Sequence, residues 1–529
     1  MAATSAFLHL DADYVVYGAG AMGMAFVDVL LKESNATIVL VDKQGQPGGH
    51  WNSAYSFVKL HQASNYYGVN SKPLERTRGD YFSLASRSEI LAYYEEVLRD
   101  FMASGRVRYF PMCVCDNPFG SRVFHSLVDK QVVYRVTDRA KIVNATYMAT
   151  IGPSLSNARE RYEVADTVEV VPPNALPQMQ QSYDSYVIVG AGKTAMDSII
   201  WLLDSSVNTS RISWIMPRDS WLMIRENVTP NGMSELALDV MLAAQSAASV
   251  EELFLHWENI GFVGRIDQSV TPMMNHCAIA AADELEKLRR VTSIVRMGHV
   301  LRVEPGQVTL QGGVLSVPGA ALYVDCSKTP IAPHPPVKVF DGSTIVLQTI
   351  AKCQQVFSAA LIAHIEIRGD DEDSKNELCT PVPHPETSQD FVHRMIVSTR
   401  NKHAWREAGL DSWLRRSRLN LEAHVPDFRH NMKLLWGLLR SDYASALLRG
   451  GVSGVEARFC ESLERLLDHQ HSPHGGPLRE EAPQGAPRRE EAPQGAPPRR
   501  EEAPVVKCSC RSARSGLGAS GAWRSVRGG

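Results

Sequence analysis

The chain has 529 residues, which exceeds the ~250–300 at which one hydrophobic core stops growing, so we expect two or more domains. Hydrophobic residues make up 44% and charged residues 21%, an ordinary globular mixture, and the net charge of -3 argues against a nucleic-acid partner. Because no window approaches ~18 uninterrupted apolar residues and the N-terminus has no basic region, we expect neither a membrane span nor a secretory signal.

A β-turn-α-β pattern lies near the start of the chain. Tyr14 to Tyr17 is a short β-branched and aromatic run, GAGAMG follows it, and Met22 to Lys32 carries apolar residues at helical spacing. Ala36 to Val41 then predicts a second strand, which ends at Asp42. The pattern is typical of a dinucleotide-binding unit.

Each glycine of this loop has a physical role. Gly18 permits the tight bend, Gly20 lets backbone N–H groups approach a pyrophosphate, and Gly23 lets the helix pack on the strand. Asp42 follows Gly18 by 24 residues, where its carboxylate can accept hydrogen bonds from an adenosine ribose and would repel a 2'-phosphate. The loop therefore predicts FAD or NAD rather than NADP.

The stretch after this loop completes the first unit. Ser86 to Met102 predicts an amphipathic helix, and three further strands are expected at Val107 to Phe110, Val132 to Val136 and Lys141 to Ala145.

The same pattern returns once. Tyr186 to Val189 predicts a strand, GAGKTAMD follows from Gly190, a helix runs through Leu203, and the strand Ile212 to Met216 ends at Pro217 and Arg218. Gly190 and Gly192 would approach the phosphates together with Lys193 and Thr194, and the third glycine is replaced by Ala195. The P-loop spacing GxxxxGK is absent, so ATP is not expected.

Arg218 stands where the first unit has a carboxylate. A guanidinium suits a 2'-phosphate, so we expect NADPH at the second loop, with Arg225 as a second candidate contact. The alternative is an exposed arginine that binds no ligand.

Helices are expected at Met233 to Ala248, Ile279 to Arg290 and Phe357 to Ile365. Val308 to Val317 predicts a hairpin, and Ala321 to Cys326 predicts a buried strand that returns the chain to the first sheet.

The C-terminal part differs in composition. Asp370 to Thr387 is a polar, proline-rich linker, and Gln389 to Asp468 has helical periodicity with Trp405, Trp413 and Trp436 among its apolar positions. The tail repeats REEAPQGAP, which cannot bury a core, so we expect disorder there.

We therefore predict an α/β fold: two Rossmann-like dinucleotide-binding domains for FAD and NAD(P), a C-terminal helical region and a disordered tail. The expected boundaries are 10–182 for the first part of the FAD domain, 183–305 for the NAD(P)H domain, 306–370 for the return to the FAD domain, 371–470 for the helical region and 471–529 for the tail.

Nine cysteines are scattered without the spacing of a disulfide framework. The close pairs, Cys113/Cys115 and Cys508/Cys510, are C-x-C, which is neither a C-x-x-C redox centre nor a zinc knuckle. An odd count in so long a chain suits a reducing cytosol, so we expect a cytoplasmic protein with neither a disulfide scaffold nor a metal site.

Taken together, these motifs resemble the flavin-containing and Baeyer–Villiger monooxygenase superfamily and, more broadly, the two-dinucleotide-binding flavoproteins, from about Asp13 to Glu366. The resemblance rests on both glycine loops with Asp42 and Arg218, on the block GGHW from Gly48, and on the strand ends VNATY at Val143 and YVDCS at Tyr323. Comparable strand ends in such proteins often read ATG and mark crossings between the FAD and NADP domains, whereas both strand ends here lack that glycine.

The resemblance implies further contacts with FAD. In such proteins a Gly-Gly turn and an aromatic residue run beside the flavin, which implies Gly49 and Trp51 as contacts; the alternative is a surface turn with a buried Trp51. The apolar helix from Gln354 resembles the last FAD-contacting helix, which implies Ser358, although an ordinary buried helix fits equally. His61 follows the GGHW block and is a candidate proton donor, with a packed structural histidine as the alternative.

Two departures bear on the chemistry. The fingerprint F-x-G-x-x-x-H-x-x-x-[FWY], usual before the second loop in flavin monooxygenases, is missing, and no C-x-x-C of the disulfide-reductase branch exists. The leading hypothesis is an NADPH-dependent flavin monooxygenase that oxygenates a small organic substrate with O2. The alternatives are a quinone-type flavin reductase or an oxidase without oxygenation, and a flavoprotein-fold binding protein.

Overall fold

In the computed structural model the described residues are 7–75, 83–148, 150, 157–328, 334–423, 435–439, 441 and 443–468. The chain divides into units 1–475 and 476–529, and the second unit lies outside the described residues, as do the predicted disordered tail and the pair Cys508/Cys510. The fold below is that of the first unit.

The first sheet carries the first glycine loop. Its parallel strands surround Tyr14–Tyr17, and a short antiparallel hairpin closes one edge. The strand order is Phe340–Asp341, Thr344–Val346, Lys141–Asn144, Tyr14–Tyr17, Ile38–Val41 and Val107–Phe110.

Both faces of this sheet are covered, which explains its unbroken apolar strands. Val16 packs with helices Ala21–Glu33 and Gln355–Arg368 on one face. Val15, one residue earlier, points to the opposite face and packs with residues of a smaller four-stranded sheet. That smaller sheet has the order Leu8–Leu10, Val133–Val136, Val123–Ser126 and Cys113–Val114.

The second sheet is wholly parallel and carries the second glycine loop. Its order is Val170–Val171, Ala321–Asp325, Ser185–Val189, Ile212–Ile215 and Ile294–Val295. Two smaller sheets accompany it, one of Gly313–Ser316, Gln307–Leu310, Val300–Glu304 and Glu163–Val164 and one of Val263–Gly264, Leu222–Ile224 and Ile279–Ala280. The predicted α/β class with two parallel glycine-loop sheets is confirmed.

The remaining α-helices of the described residues flank these sheets or form the C-terminal region. They are Arg87–Ala103, Lys193–Asp204, Pro230–Ser246, Val250–Asn259, Ala282–Arg289, Glu372–Leu378, Ser388–Glu407, Asp411–Arg416 and Ala444–Asp468. Trp405 and Trp413, predicted as apolar positions of the helical region, are buried in the core of the first sheet, whereas Trp436 is exposed.

Three predictions about elements are wrong. Ala321–Asp325 pairs with Ser185–Val189, so it belongs to the second sheet, and the chain returns to the first sheet only afterwards. Ile279–Ala280 is a strand paired with Leu222–Ile224, and the helix begins at Ala282. The predicted linker contains the helix Glu372–Leu378. The proposed domain boundaries stay predictions.

Candidate functional site

The first glycine loop joins strand Tyr14–Tyr17 to helix Ala21–Glu33 with the conformation that a phosphate site needs. Gly18 has φ +109°, which side-chain-bearing residues rarely adopt. A Cβ on Gly23 would lie 1.9 Å from the carbonyl oxygen of Gly18, so the helix reaches the strand only because this residue is glycine. Gly20 is the N-cap, and no described side chain caps the helix, which leaves its first N–H groups for an anion.

Asp42 lies at the end of strand Ile38–Val41, beside this loop, and is buried. One carboxylate oxygen accepts the N–H of Ala19 at 2.5 Å, and the other accepts that of Gln44 at 2.7 Å. Burial raises the pKa of Asp42, while the hydrogen bonds from Gln44 and Ala19 act in the opposite direction. Since each carboxylate oxygen has a second lone pair, Asp42 retains acceptor capacity for a ribose hydroxyl.

The Gly48-Gly49 turn lies directly against the first glycine loop. The N–H of Gly48 donates to the carbonyl of Ala19 at 2.9 Å, and a Cβ on Gly49 would lie 3.0 Å from the Cα of Gly20. Trp51 is buried and donates its indole N–H to the hydroxyl of Tyr67 at 2.7 Å. The turn therefore lies beside the first glycine loop, and Trp51 is buried as the alternative held, while the predicted contacts of Gly49 and Trp51 with a flavin stay predictions.

The second glycine loop repeats this geometry with more open space. Gly190 has φ +122°, and its Cβ would lie 2.5 Å from the carbonyl oxygen of Cys326. Gly192 is exposed, and a Cβ there would meet no heavy atom of the described residues within 4 Å. No described side chain caps helix Lys193–Asp204, whose first two residues are Lys193 and Thr194. This loop, too, leaves backbone donors for an anion.

The two arginines proposed for the 2'-phosphate have different environments. Arg218 follows strand Ile212–Ile215, is exposed, and has no ion-pair partner among the described residues. Arg225 is buried, and its guanidinium binds Glu284 at 2.7 Å. The suggestion that Arg225 assists at the phosphate is therefore not supported, because its donors face an internal carboxylate.

A set of polar residues, here called the bridging cluster, connects the segment after the Gly-Gly turn to the second glycine loop. Its members are Tyr55, His61, Lys193, Asp197, Arg225 and Glu284.

Hydrogen bonds and ion pairs hold the bridging cluster together. Tyr55 is buried, and its hydroxyl donates to Asp197 at 2.7 Å; Lys193 pairs with the other oxygen of Asp197 at 2.5 Å. Arg225 donates its Nε to the backbone carbonyl of His61 at 3.0 Å. The two cations and two carboxylates balance, so these charges, of which Arg225 is buried and the other three are partly buried, compensate one another.

His61, predicted as a proton donor, lies at the edge of this cluster. Its Nδ1 is buried without a hydrogen-bond partner among the described residues. Burial, with Lys193 and Arg225 next, lowers the pKa of His61 to about 4, so the imidazole is neutral at pH 7. The side-chain oxygen of Asn65 is likewise buried and unpartnered within the described chain. A bound ligand, an ion or a water molecule can supply the bond that such an atom lacks.

Ser358 has no free capacity for the predicted flavin contact. It is fully buried, its hydroxyl donates to the carbonyl of Gln354 at 2.7 Å, and it accepts the N–H groups of Ile350 at 3.0 Å and Ala351 at 3.2 Å. These bonds use its donor and both lone pairs. Ser358 therefore fixes the loop before helix Gln355–Arg368 and does not present its hydroxyl to a ligand.

A disulfide bond joins Cys277 and Cys353, a pairing that the sequence did not predict. Sequence reasoning missed this bond because 76 residues separate its two cysteines. It also missed Tyr55, Asp197 and Glu284, of which only Asp197 carried a signal, the helical i,i+4 spacing from Lys193.

Other features lie outside the site. A cavity of about 300 Å³ is lined by Arg159, Tyr162 and Arg302 among others and by no residue of either glycine loop. Within the described ranges, no helix has the length and apolarity to cross a membrane, and no group of three or more His, Cys, Asp or Glu side chains is arranged for a metal.

The chain has close relatives in mycobacteria. It is 43% identical over 440 residues to uncharacterized proteins of Mycobacterium tuberculosis and Mycobacterium bovis, with 80% of this chain and 80% of each relative covered. No protein-family model matches the chain.

Several solved structures are similar to it. They include a flavin-containing monooxygenase from Stenotrophomonas maltophilia, at 14% identity over 68% of this chain and 97% of that chain with a TM-score of 0.39. A bacillithiol disulfide reductase from Staphylococcus aureus matches at 14% over 68% and 99%, with a TM-score of 0.42. A cyclohexanone monooxygenase from Rhodococcus, bound to NADP+, matches at 15% over 82% and 98%, with a TM-score of 0.41.

Proposed function

We propose that this chain, which belongs to the same family as the mycobacterial proteins described above, is an FAD-dependent oxidoreductase that takes electrons from NADPH. The observation that carries the proposal is the pair of uncapped glycine loops joined through the hydrogen bond from Tyr55 to Asp197. Bound there, FAD would supply the redox chemistry that transfers electrons from NADPH to an acceptor.

The residues of the first loop suit FAD. The N–H groups that follow Gly18 and Gly20 would bind the pyrophosphate, and Asp42 would accept from the ribose of the adenosine. The Gly48-Gly49 turn lies against this loop and would continue the binding surface toward the flavin ring. A carboxylate beside the ribose disfavours a 2'-phosphate there, which supports FAD.

The residues of the second loop suit NADPH. The open space at Gly192 admits a pyrophosphate against the helix N-terminus. Arg218 is exposed at the end of the next strand and would bind the 2'-phosphate as a planar fork. This role is supported because, among the described residues, no carboxylate forms an ion pair with this guanidinium.

The bridging cluster would orient the two cofactors and keep water from the space between them. Its balanced charges hold the segment that contains Tyr55 and His61 against the helix of the second loop. The neutral imidazole of His61 would exchange one hydrogen bond at Nδ1 with a ligand, as donor or acceptor according to its tautomer.

For the fate of the electrons we propose a monooxygenase-like reaction with a small organic substrate and O2, because the charge-balanced, largely enclosed bridging cluster would limit the access of water to the site. A second candidate, an NADPH-dependent reductase of small acceptors, is favoured by the missing monooxygenase fingerprint before the second loop.

The proposal is tested by reconstituting the full chain with FAD and measuring NADPH consumption, oxygen consumption and peroxide release while candidate substrates are added. A monooxygenase with its substrate consumes one NADPH per oxygenated product with little peroxide. Full NADPH turnover with stoichiometric peroxide, or electron transfer to a quinone in the absence of oxygen, supports the reductase or oxidase. A chain that stays colourless after incubation with FAD contradicts the whole proposal and supports a binding protein.

A further inference from the structure

The disulfide between Cys277 and Cys353 connects chain segments that serve different sheets. Cys277 lies two residues before strand Ile279–Ala280, which pairs with Leu222–Ile224 of a smaller sheet beside the second glycine loop. Cys353 lies in the loop before helix Gln355–Arg368, which packs against the helix of the first glycine loop. The bond therefore lies at the junction between the regions that carry the two loops.

A buried arginine contacts one of the two sulfur atoms. Arg394, on helix Ser388–Glu407, is only 4% exposed and donates Nη1 to the Sγ of Cys353 at 3.5 Å. Its Nε is buried without a partner, and no carboxylate among the described residues forms an ion pair with it. Its guanidinium lies over the ring of Phe391 at 4.1 Å.

This arrangement leaves a positive charge without a counter-charge while the disulfide is intact. Burial lowers the pKa of Arg394 to about 9, so the guanidinium is still protonated at neutral pH. An uncompensated buried charge is costly, and the thiolate of Cys353 is the negative group that would compensate it. Reduction of the bond supplies that thiolate.

The two cysteines differ in exposure. Cys353 is partly exposed, whereas Cys277 is buried at 6% exposure. An incoming molecule therefore reaches Cys353 first, and Cys277 is placed to attack the same sulfur from inside the protein. This is the division between a nucleophilic and a resolving cysteine.

We propose that Cys277 and Cys353 form a dithiol–disulfide exchange site for small disulfides, with Cys353 as the nucleophile and Arg394 as the cation that stabilises its thiolate. The proposal does not depend on the flavin function, since the exchange needs only the two cysteines and an external thiol or disulfide.

The exchange balances in two steps. The Cys353 thiolate attacks a small disulfide, forms a mixed disulfide and releases one thiolate of the substrate. The Cys277 thiol then loses its proton to solvent and attacks the Cys353 sulfur, so that the Cys277–Cys353 bond forms and the second substrate thiolate leaves. The protein dithiol loses two electrons, and the substrate gains them. A dithiol reductant restores the starting state by the reverse route.

The charged and titratable groups around the site come from several elements. Besides Arg394, they are His276 and His384, whose rings stack with centroids 6.2 Å apart, and Lys352, which pairs with Glu422. Burial lowers the pKa of His384 to about 4, so this ring is neutral at pH 7 and adds no charge beside the sulfur.

The test uses the full chain, reduced with a dithiol that is then removed. In Cys277→Ser, the rate at which iodoacetamide alkylates Cys353 is followed by peptide mass spectrometry as a function of pH. The expected midpoint lies below the ordinary ~8.5 of a thiol, and Arg394→Gln lowers the rate at pH 7 about tenfold. Arg394→Lys restores most of that rate, which a purely structural arginine would not do.

A second measurement tests the proposal without the arginine variants and can therefore be made even if those variants fail to fold. The reduced wild-type chain is mixed with bis(2-hydroxyethyl) disulfide, and we expect re-formation of the Cys277–Cys353 bond with release of two equivalents of 2-mercaptoethanol, while Cys277→Ser stops at a mixed disulfide on Cys353. Cys115→Ser is the control and leaves both outcomes unchanged. A Cys353 midpoint at or above the ordinary value, or labelling of other cysteines with Cys353 unreacted, overturns the proposal.

Discussion

The hydroxyl of Tyr55 donates to the carboxylate of Asp197 at 2.7 Å and so joins the segment after the Gly-Gly turn to the helix of the second glycine loop. Tyr55 is 5% exposed, and burial, followed by the charge of Asp197, raises its pKa well above the ordinary value, so the phenol remains a donor throughout the physiological range. The contact therefore connects the two loop-bearing segments directly.

Tyr55→Phe removes this bond and leaves the Asp197 carboxylate with one donor fewer. We expect the free energy of unfolding to fall by roughly 1.5–3 kcal/mol, the range for a hydrogen bond to a charged group. Urea unfolding measures it, with Asp197→Asn and the double variant completing a cycle that isolates the coupling. Tyr134→Phe, outside the cluster, is the control; an unchanged Tyr55→Phe midpoint would mean that the contact does not couple the loops.

Replacement of glycine by alanine is expected to destabilise the first glycine loop but not the second. Gly23→Ala places a Cβ 1.9 Å from a backbone oxygen, so we expect loss of FAD binding together with a lowered melting temperature. Gly192→Ala meets no described atom within 4 Å, so the chain should fold normally and bind NADPH about tenfold or more weakly. Thermal unfolding and ligand titration separate the two. Normal NADPH affinity in a folded Gly192→Ala would place the nucleotide elsewhere.

Arg218→Ala tests the choice of nucleotide. A guanidinium bound to a 2'-phosphate distinguishes NADPH from NADH, so we expect the Kd for NADPH to rise about 10- to 100-fold and that for NADH to change little. Fluorescence titration with both nucleotides measures this. Arg290→Ala removes another exposed arginine of the same region and should change neither Kd. Equal losses for both nucleotides would argue against a 2'-phosphate contact.

The lowered pKa values of His61 and His384 predict that the fold is less stable in acid. The pKa values of His61 and His384 are lowered from 6.5 to about 4, in both cases mainly by burial. Between these values the unfolded chain takes up protons that the folded chain does not, so stability is complete above pH 6.5 and falls as the pH decreases toward 4. The loss is on the order of 2–3 kcal/mol per histidine.

Urea unfolding between pH 7 and pH 4.5 checks this expectation, since His384→Gln and His61→Gln should each show a shallower decrease than the wild type. His9→Gln is the control because His9 lies on the outer strand Leu8–Leu10, away from both histidines. Parallel curves for wild type and variants would contradict the assignment of neutral, buried imidazoles.

Local patterns were sufficient where neighbouring residues determine the element. The strand Val107–Phe110 was predicted from its run of β-branched and aromatic residues. Both glycine loops were predicted because their turns require positive φ angles that glycine adopts readily, as at Gly18. The helix Glu372–Leu378 was missed because it is short and polar, although Asp371 caps its first turn through the N–H of Ser374.

Contacts between segments that are far apart in the sequence could not be predicted from local patterns. Ile279–Ala280 reads as the start of a helix but is a strand, because it pairs with Leu222–Ile224 more than fifty residues earlier. The position of Ala321–Asp325 in the second sheet and the Cys277–Cys353 bond likewise depend on which distant segments meet. Of the candidate site, the loops were predicted, whereas the partners of His61 and Lys193 were not.

The most direct test of the central claim is an anaerobic titration of the FAD-loaded chain with NADPH, in which the visible absorbance of the flavin is measured after each addition. Two cofactor sites arranged for electron transfer predict bleaching that is complete at about one equivalent of NADPH and slower in Tyr55→Phe. A chain that binds FAD and NADPH but keeps its oxidised flavin spectrum would contradict that arrangement.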